Sequence, residues 1–93
     1  MFDVNEYFDG RVKSMAFQTK TLPATVGVMA PGDYEFGTSE KETMTVVSGS
    51  LKVLLPDEEE WRIFKPNQSF IVAAGLSFNV EVEVDTAYLC TYG

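Results

Sequence analysis

The chain has 93 residues, 45% of them hydrophobic and 13% aromatic, and its 14 acidic and 7 basic residues give a net charge of −7. That length suits one domain over 1–93, the composition suits a packed core, and the charge repels nucleic acid and anionic membrane surfaces. There is no histidine and one cysteine, Cys90, which excludes histidine acid–base chemistry, a histidine metal site and an intrachain disulfide, and fits a reducing compartment.

The first ten residues, "MFDVNEYFDG", carry three acids and no base, the reverse of a secretory leader. The longest uncharged apolar run, "FIVAAGL", is too short to span a bilayer. A cytoplasmic protein is expected. "DVNEYF" is the one helical candidate in the chain; everything after it reads with a period of two or as turns.

"VKSMAFQT" and "TVGVMA" are strands rich in β-branched and apolar residues. "APGDY" is a turn, after which Tyr34, Phe36 and Thr38 share one face of an extended segment. In "ETMTVV", Glu42, Met44 and Val46 share a face by the same count. "SGS", Ser48 to Ser50, reads as a tight hairpin leading into "SLKVLL", where Leu51, Val53 and Leu55 point together. "LPDEEEW" is a longer hairpin loop with a solvated acidic run, and "WRIF", "SFIVA" and "AYLCTY" are further short strands. "FNVEVEV" alternates, with Phe78, Val80, Val82 and Val84 on one face and Asn79, Glu81 and Glu83 on the other. Short strands separated by turns at this density predict an all-β sandwich or barrel. A small roll must hide its strand edges, and pairing with a copy of itself does so; a homodimer is expected.

The stretch "GDYEFGTSEKETMTVVSG" resembles the first motif of the cupin superfamily, a glycine, a pair of histidines, a glutamate and a second glycine. Glu42 and Gly49 stand at the motif's spacing, with six residues between them, and the histidine positions fall on Phe36 and Thr38. "PNQSFIVAAGLSF" resembles the second motif: Asn67 takes the place of its first glycine, Ala73 that of a proline, Gly75 its second glycine and Phe78 the third histidine. Read as a whole, "NEYFDGRVKSMAF", "VGVMAPGDYEFGTSEKETMTVVSG", "LKVLLPD", Trp61 and "YLCTY" are similar to the small bacterial cupins of the pyrimidine/purine nucleoside phosphorylase family. The resemblance implies a small cupin-type, jelly-roll-like antiparallel β-barrel. It also implies an enzyme that cleaves purine and pyrimidine nucleosides with inorganic phosphate, giving ribose 1-phosphate and the free base, without a metal or other cofactor.

Alternation then gives the interior a composition: Tyr34, Phe36, Met44 and Phe78 around the Glu42 carboxylate and the Thr38 hydroxyl. Such a space serves a metal badly. It serves a flat base well, because aromatic faces stack on any base without reading its edges. The same aromatic residues are equally read as core fillers of a small barrel. Glu42 on an inward face is costly unless paired or bound; it either stabilises an oxocarbenium-like anomeric carbon or holds the ribose hydroxyls, or else makes a structural hydrogen bond or lies exposed at the barrel mouth. Phosphate needs cationic or N–H donors. Lys13, flanked by Ser14 in an apolar strand, is the first candidate and Arg11 the next, while Lys41, Lys52, Arg62 and Lys65 read as surface charges. The leaving base needs a donor from among Tyr88, Tyr92, Thr38 and Ser48, and Cys90 reads as a small buried residue. The expected site is therefore Glu42, Lys13 and Thr38 as catalytic groups, with Tyr34, Phe36, Met44, Phe78, Ser14, Tyr88 and Tyr92 contacting substrate. A non-catalytic barrel that only holds a small ligand is the alternative.

Overall fold

A computed structural model describes residues 2–93, and the described chain is all β, as expected. Its ten strands are β1 (Val4–Tyr7), β2 (Val12–Gln18), β3 (Pro23–Met29), β4 (Gly32–Gly37), β5 (Glu42–Ser48), β6 (Leu51–Leu54), β7 (Arg62–Phe64), β8 (Ser69–Val72), β9 (Ser77–Val82) and β10 (Thr86–Tyr92). They form two antiparallel sheets, a six-stranded one in the order β1-β2-β3-β10-β5-β8 and a four-stranded one in the order β4-β9-β6-β7. The inner faces meet in one apolar cluster that draws Val12, Met29, Val46 and Tyr88 from the first sheet and Leu51, Val53, Phe64, Phe78 and Val80 from the second. This is the cupin-type roll. No helix of the described residues is long and apolar enough to cross a membrane.

Three local readings change. The helical candidate "DVNEYF" contains strand β1, which pairs with β2 in register Val4↔Met15 to Tyr7↔Val12. Phe8 and Asp9 then adopt left-handed backbone conformations (φ 54° and 58°), which turn the chain back on itself before a helix can propagate. The "SGS" turn does not make a hairpin. β5 pairs with β10 and β8, whereas β6 pairs with β7 and β9, so Gly49 carries the chain from one sheet to the other. Its φ is +90°, and a Cβ there would stand 2.5 Å from Thr86 Oγ1, so glycine is required. Finally, Val84 leaves the face of Phe78, Val80 and Val82, because β9 ends at Val82 and Val84 is exposed.

The remaining pattern holds. Leu51, Val53 and Leu55 are buried, and Phe78 and Val80 are each 1% exposed. Asn67, at a position where the cupin motif has glycine, is in the left-handed region (φ 71°), which Asn tolerates better than most residues. The two outer faces differ in kind. The four-stranded sheet turns Asp33, Glu35, Lys52 and Glu81 outward. The six-stranded sheet turns out the exposed side chains of Val4, Met15, Phe17, Val26 and Val28.

Candidate active site

A cavity of about 200 Å³ lies between the sheets, lined by Tyr7, Ser14, Thr25, Phe36, Gly37, Glu42, Met44, Phe78, Tyr88, Cys90 and Tyr92. Register explains the gathering. β10 lies between β3 and β5, pairing Cys90 with Thr25 on one side and with Met44 on the other, and Tyr92 with Glu42. Alternation then directs Tyr88, Cys90 and Tyr92 inward together with Glu42 and Met44. From the opposite sheet, Phe36 and Phe78 face each other across the β4–β9 ladder with ring centroids 5.6 Å apart. They continue an aromatic row that runs through Tyr34 and Phe8 on one side and Phe70 and Phe64 on the other.

The polar groups are few and ordered. The Cys90 thiol donates to Glu42 Oε1 over 3.4 Å. Burial pushes the Glu42 carboxyl above its ordinary value; the Cys90 hydrogen bond pulls it back down, and the charge of Glu40 adds a smaller push upward. Burial and the adjacent Glu42 charge raise the Cys90 thiol to about 12, so it stays protonated at working pH and is no nucleophile. Burial likewise raises Tyr88 to about 12, with the Ser14 hydroxyl beside it acting in the opposite sense. Tyr92 is raised by burial too, and its hydroxyl shares a 3.0 Å hydrogen bond with Thr25. Both tyrosines are therefore neutral donors. Tyr88 owes its place to Gly27: a Cβ on Gly27 would meet Lys13 O at 2.6 Å and the Tyr88 hydroxyl at 2.7 Å.

Of the expected site residues, the cavity collects Glu42, Phe36, Met44, Phe78, Ser14, Tyr88 and Tyr92. Three others lie elsewhere. Lys13 is on the outer face, because β2 turns the buried Ser14 inward and so directs its neighbour out; its Nζ pairs with Glu6 at 3.2 Å. Thr38 is buried just beyond β4, and its hydroxyl donates to Ala73 O at 2.7 Å and accepts from Leu76 N–H at 3.1 Å, fastening the end of β4 to the β8–β9 turn. Tyr34 is buried behind Phe36, with its hydroxyl donating to Ala30 O at 2.6 Å. Arg11, the second candidate for phosphate, lies over the Tyr34 ring with Nε donating to Phe8 O.

The cavity also contains groups that the sequence reading passed over. Cys90 alternates with Tyr88 and Tyr92, so its inward direction was available from the sequence. Tyr7 was hidden by the helical reading of its segment. Thr25 and Gly27 acquire meaning only when β3 is paired with β2 and β10. The metal of the histidine-bearing cupin motif finds no fit in this donor set. Among the described residues no three His, Cys, Asp or Glu side chains are grouped to hold an ion, and the cavity offers one carboxylate beside a protonated thiol.

The family model described as pyrimidine/purine nucleoside phosphorylase matches residues 2–92. A pyrimidine/purine nucleoside phosphorylase of Hahella chejuensis is 67% identical over 93 residues, covering 100% of both chains. The crystal structure of a Vibrio parahaemolyticus protein of unknown function is 43% identical with a TM-score of 0.95, covering 100% of this chain and 99% of that one. The iron(II) form of HppE, at 9% identity and a TM-score of 0.80 over 99% of this chain and 56% of that one, is alike in fold alone.

Proposed function

The chain belongs to the pyrimidine/purine nucleoside phosphorylase family, and on that premise we propose that its cavity binds a nucleoside and transfers the ribosyl group from base to inorganic phosphate, a pentosyl transfer without a metal. The single observation that carries this reading is Glu42, a lone carboxylate facing a cavity walled by Phe36, Met44 and Phe78 and edged by hydroxyls. As the C1′–N bond lengthens, C1′ gains positive charge, and the half-buried Glu42 carboxylate stabilises it. The electron pair of the breaking bond leaves with the base, and a phosphate oxygen donates the pair that forms the new C1′–O bond. The Phe36 and Phe78 rings stack on the base and read none of its edge atoms, which suits both purines and pyrimidines. Tyr88 and Tyr92, held neutral, supply O–H groups to the departing base. Ser14 and Thr25, on β2 and β3 across β10 from the strand that carries Glu42, offer neutral hydroxyls to the phosphate.

The same reading includes a cytoplasmic protein that acts as a homodimer through the outer face of the six-stranded sheet. Four seven-residue strands and two four-residue ones, about 4.8 Å apart with a rise of about 3.3 Å per residue, present roughly 570 Å², below but of the order of the ~800 Å² per partner of a standard interface. The exposed Val4, Met15, Val26 and Val28 make the β1–β2–β3 side of that face apolar, and patches of this kind mark association sites. The experiment for the activity is incubation of the purified, chelator-treated protein with uridine and adenosine, with and without phosphate. Phosphate-dependent release of uracil and adenine is expected; no release of either base refutes the reading and leaves a ligand-binding barrel.

A further inference from the structure

Cys90 is 1% exposed, and its thiol makes the only side-chain hydrogen bond to Glu42 among the described residues. The contact is fixed by the sheet: Cys90 pairs with Met44, so it stands diagonal to Glu42 on the same inward face. The other groups that surround Glu42 can be read element by element. β10 also turns Tyr88 and Tyr92 toward it, β1 contributes Tyr7, and Glu40 lies just before it in the chain. β2 and β3 present the Ser14 and Thr25 hydroxyls, β4 and β9 present Phe36, Gly37 and Phe78, and Val72 is its partner on β8. None of these groups is cationic. Among the described residues no cation pairs with Glu42, and the thiol is the one side-chain donor the fold brings onto its carboxylate.

We propose that Cys90 is a positioning residue for the reaction: its S–H group fixes the Glu42 carboxylate in the cavity and favours the ionised form that stabilises the ribosyl cation. A thiol suits this task because its own ionisation is pushed far above neutrality by burial and by Glu42; it remains a donor wherever Glu42 is an acceptor. It is also small enough to leave the cavity open, where a lysine in the same place would fill it. The inference rests on the assignment of Glu42 as the working carboxylate.

Two measurements test it separately from that assignment. In the first, the Glu42 carboxyl carbon is followed by NMR through a pH titration in protein labelled with carboxyl-¹³C glutamate, with the resonance identified by its loss in Glu42→Gln. The Glu42 midpoint should rise in Cys90→Ala and in Cys90→Val, which lack a donor, and return toward wild type in Cys90→Ser. A midpoint unmoved or lowered in the apolar variants overturns the proposal whether or not the protein has activity. The second measurement is the pH profile of phosphate-dependent base release. Because a thiol is a weak donor, its loss should cost no more than an ordinary hydrogen bond, so kcat should be roughly two- to tenfold lower on the acid side, with recovery as pH rises and rescue by Cys90→Ser. An equal loss at every pH, with no rescue by serine, marks Cys90 as a packing residue only and overturns the proposal. Either apolar variant suffices if the other fails to fold.

Discussion

Gly27→Ala is the substitution whose effect the geometry dictates most directly. The added methyl would stand 2.6 Å from the carbonyl oxygen of Lys13 and 2.7 and 2.8 Å from the Tyr88 hydroxyl oxygen and its ring carbon. The Lys13 carbonyl belongs to the β2 ladder, so it cannot retreat without parting β2 from β3 at the Ser14↔Gly27 pair. Tyr88 is 5% exposed between β3 and β5, and its ring can yield only by moving into the cavity it lines. Both neighbours must shift, and overpacking of this kind costs about 1–3 kcal/mol. For a domain of this size that lowers Tm by roughly 5–20 °C. Activity should fall further than stability, because the displaced group is the Tyr88 hydroxyl that edges the cavity. Gly37→Ala is the internal control for stability: its nearest neighbours lie at 3.9 Å or more, so its Tm should not fall and should rise by roughly 2–8 °C, as expected when a strand glycine gains an unopposed methyl. Thermal unfolding followed by circular dichroism, together with base release at saturating nucleoside, reads both effects. A Gly27→Ala protein with wild-type Tm and wild-type kcat would refute the claim that this glycine seats Tyr88.

Three other outcomes follow from the same coordinates. Glu42→Gln should abolish turnover by at least about a hundredfold while raising stability at neutral pH: burial lifts the folded-state carboxyl above its unfolded value, so the folded chain binds the extra proton, and wild-type stability falls as pH rises through that window. Chemical denaturation at pH 4 and pH 7 should show the advantage of the glutamine variant growing with pH; a constant difference would be contrary. Lys13→Met should leave the KM for phosphate unchanged and cost at most about 0.5 kcal/mol, since it removes one exposed ion pair with Glu6; a KM for phosphate raised tenfold would return Lys13 to the site. Val26→Glu combined with Val28→Glu should convert the proposed homodimer to monomer in sedimentation velocity while each chain stays folded, and a dimer of unchanged mass would move the interface to another surface.

The sequence disclosed the fold through a period of two and the site through one charged residue out of keeping with its neighbours. Glu42 shares its parity with Met44 and Val46, and Phe78 with Val80, so the inward faces could be written down before any pairing was known. What it could not disclose is whatever depends on which strands become neighbours. Lys13 and Ser14 differ by one residue and hence by one face, and the choice between them is made by the pairing of Ser14 with Gly27 under Tyr88. Thr38 sits at a ligand position of the cupin motif, yet the chain leaves β4 at Gly37, and its hydroxyl is taken up by Ala73 and Leu76. Gly49 reads locally as a hairpin turn; only the pairing of β5 with β10 and β8, and of β6 with β7 and β9, shows that it is a crossing between sheets.

The exchange of histidines for phenylalanines has a physical consequence beyond the loss of a metal. In a metal-binding barrel the ion is the dominant local charge, and a nearby carboxylate is held ionised by it. Here Phe36 and Phe78 surround Glu42 with low-polarity surface and bring no counter-charge. The carboxylate is consequently the most destabilised charged group of the cavity, and it is relieved when positive charge appears beside it. An anomeric carbon losing its base is such a charge, and it exists only in the transition state, so the relief lowers the barrier without tightening the ground state. In the proposed reaction the hydroxyls of Tyr88 and Tyr92, kept neutral by the same burial, would serve the electron-rich base that departs. One apolar environment thus prepares both ends of the bond that breaks, the carboxylate by making its charge costly and the phenols by making theirs unattainable.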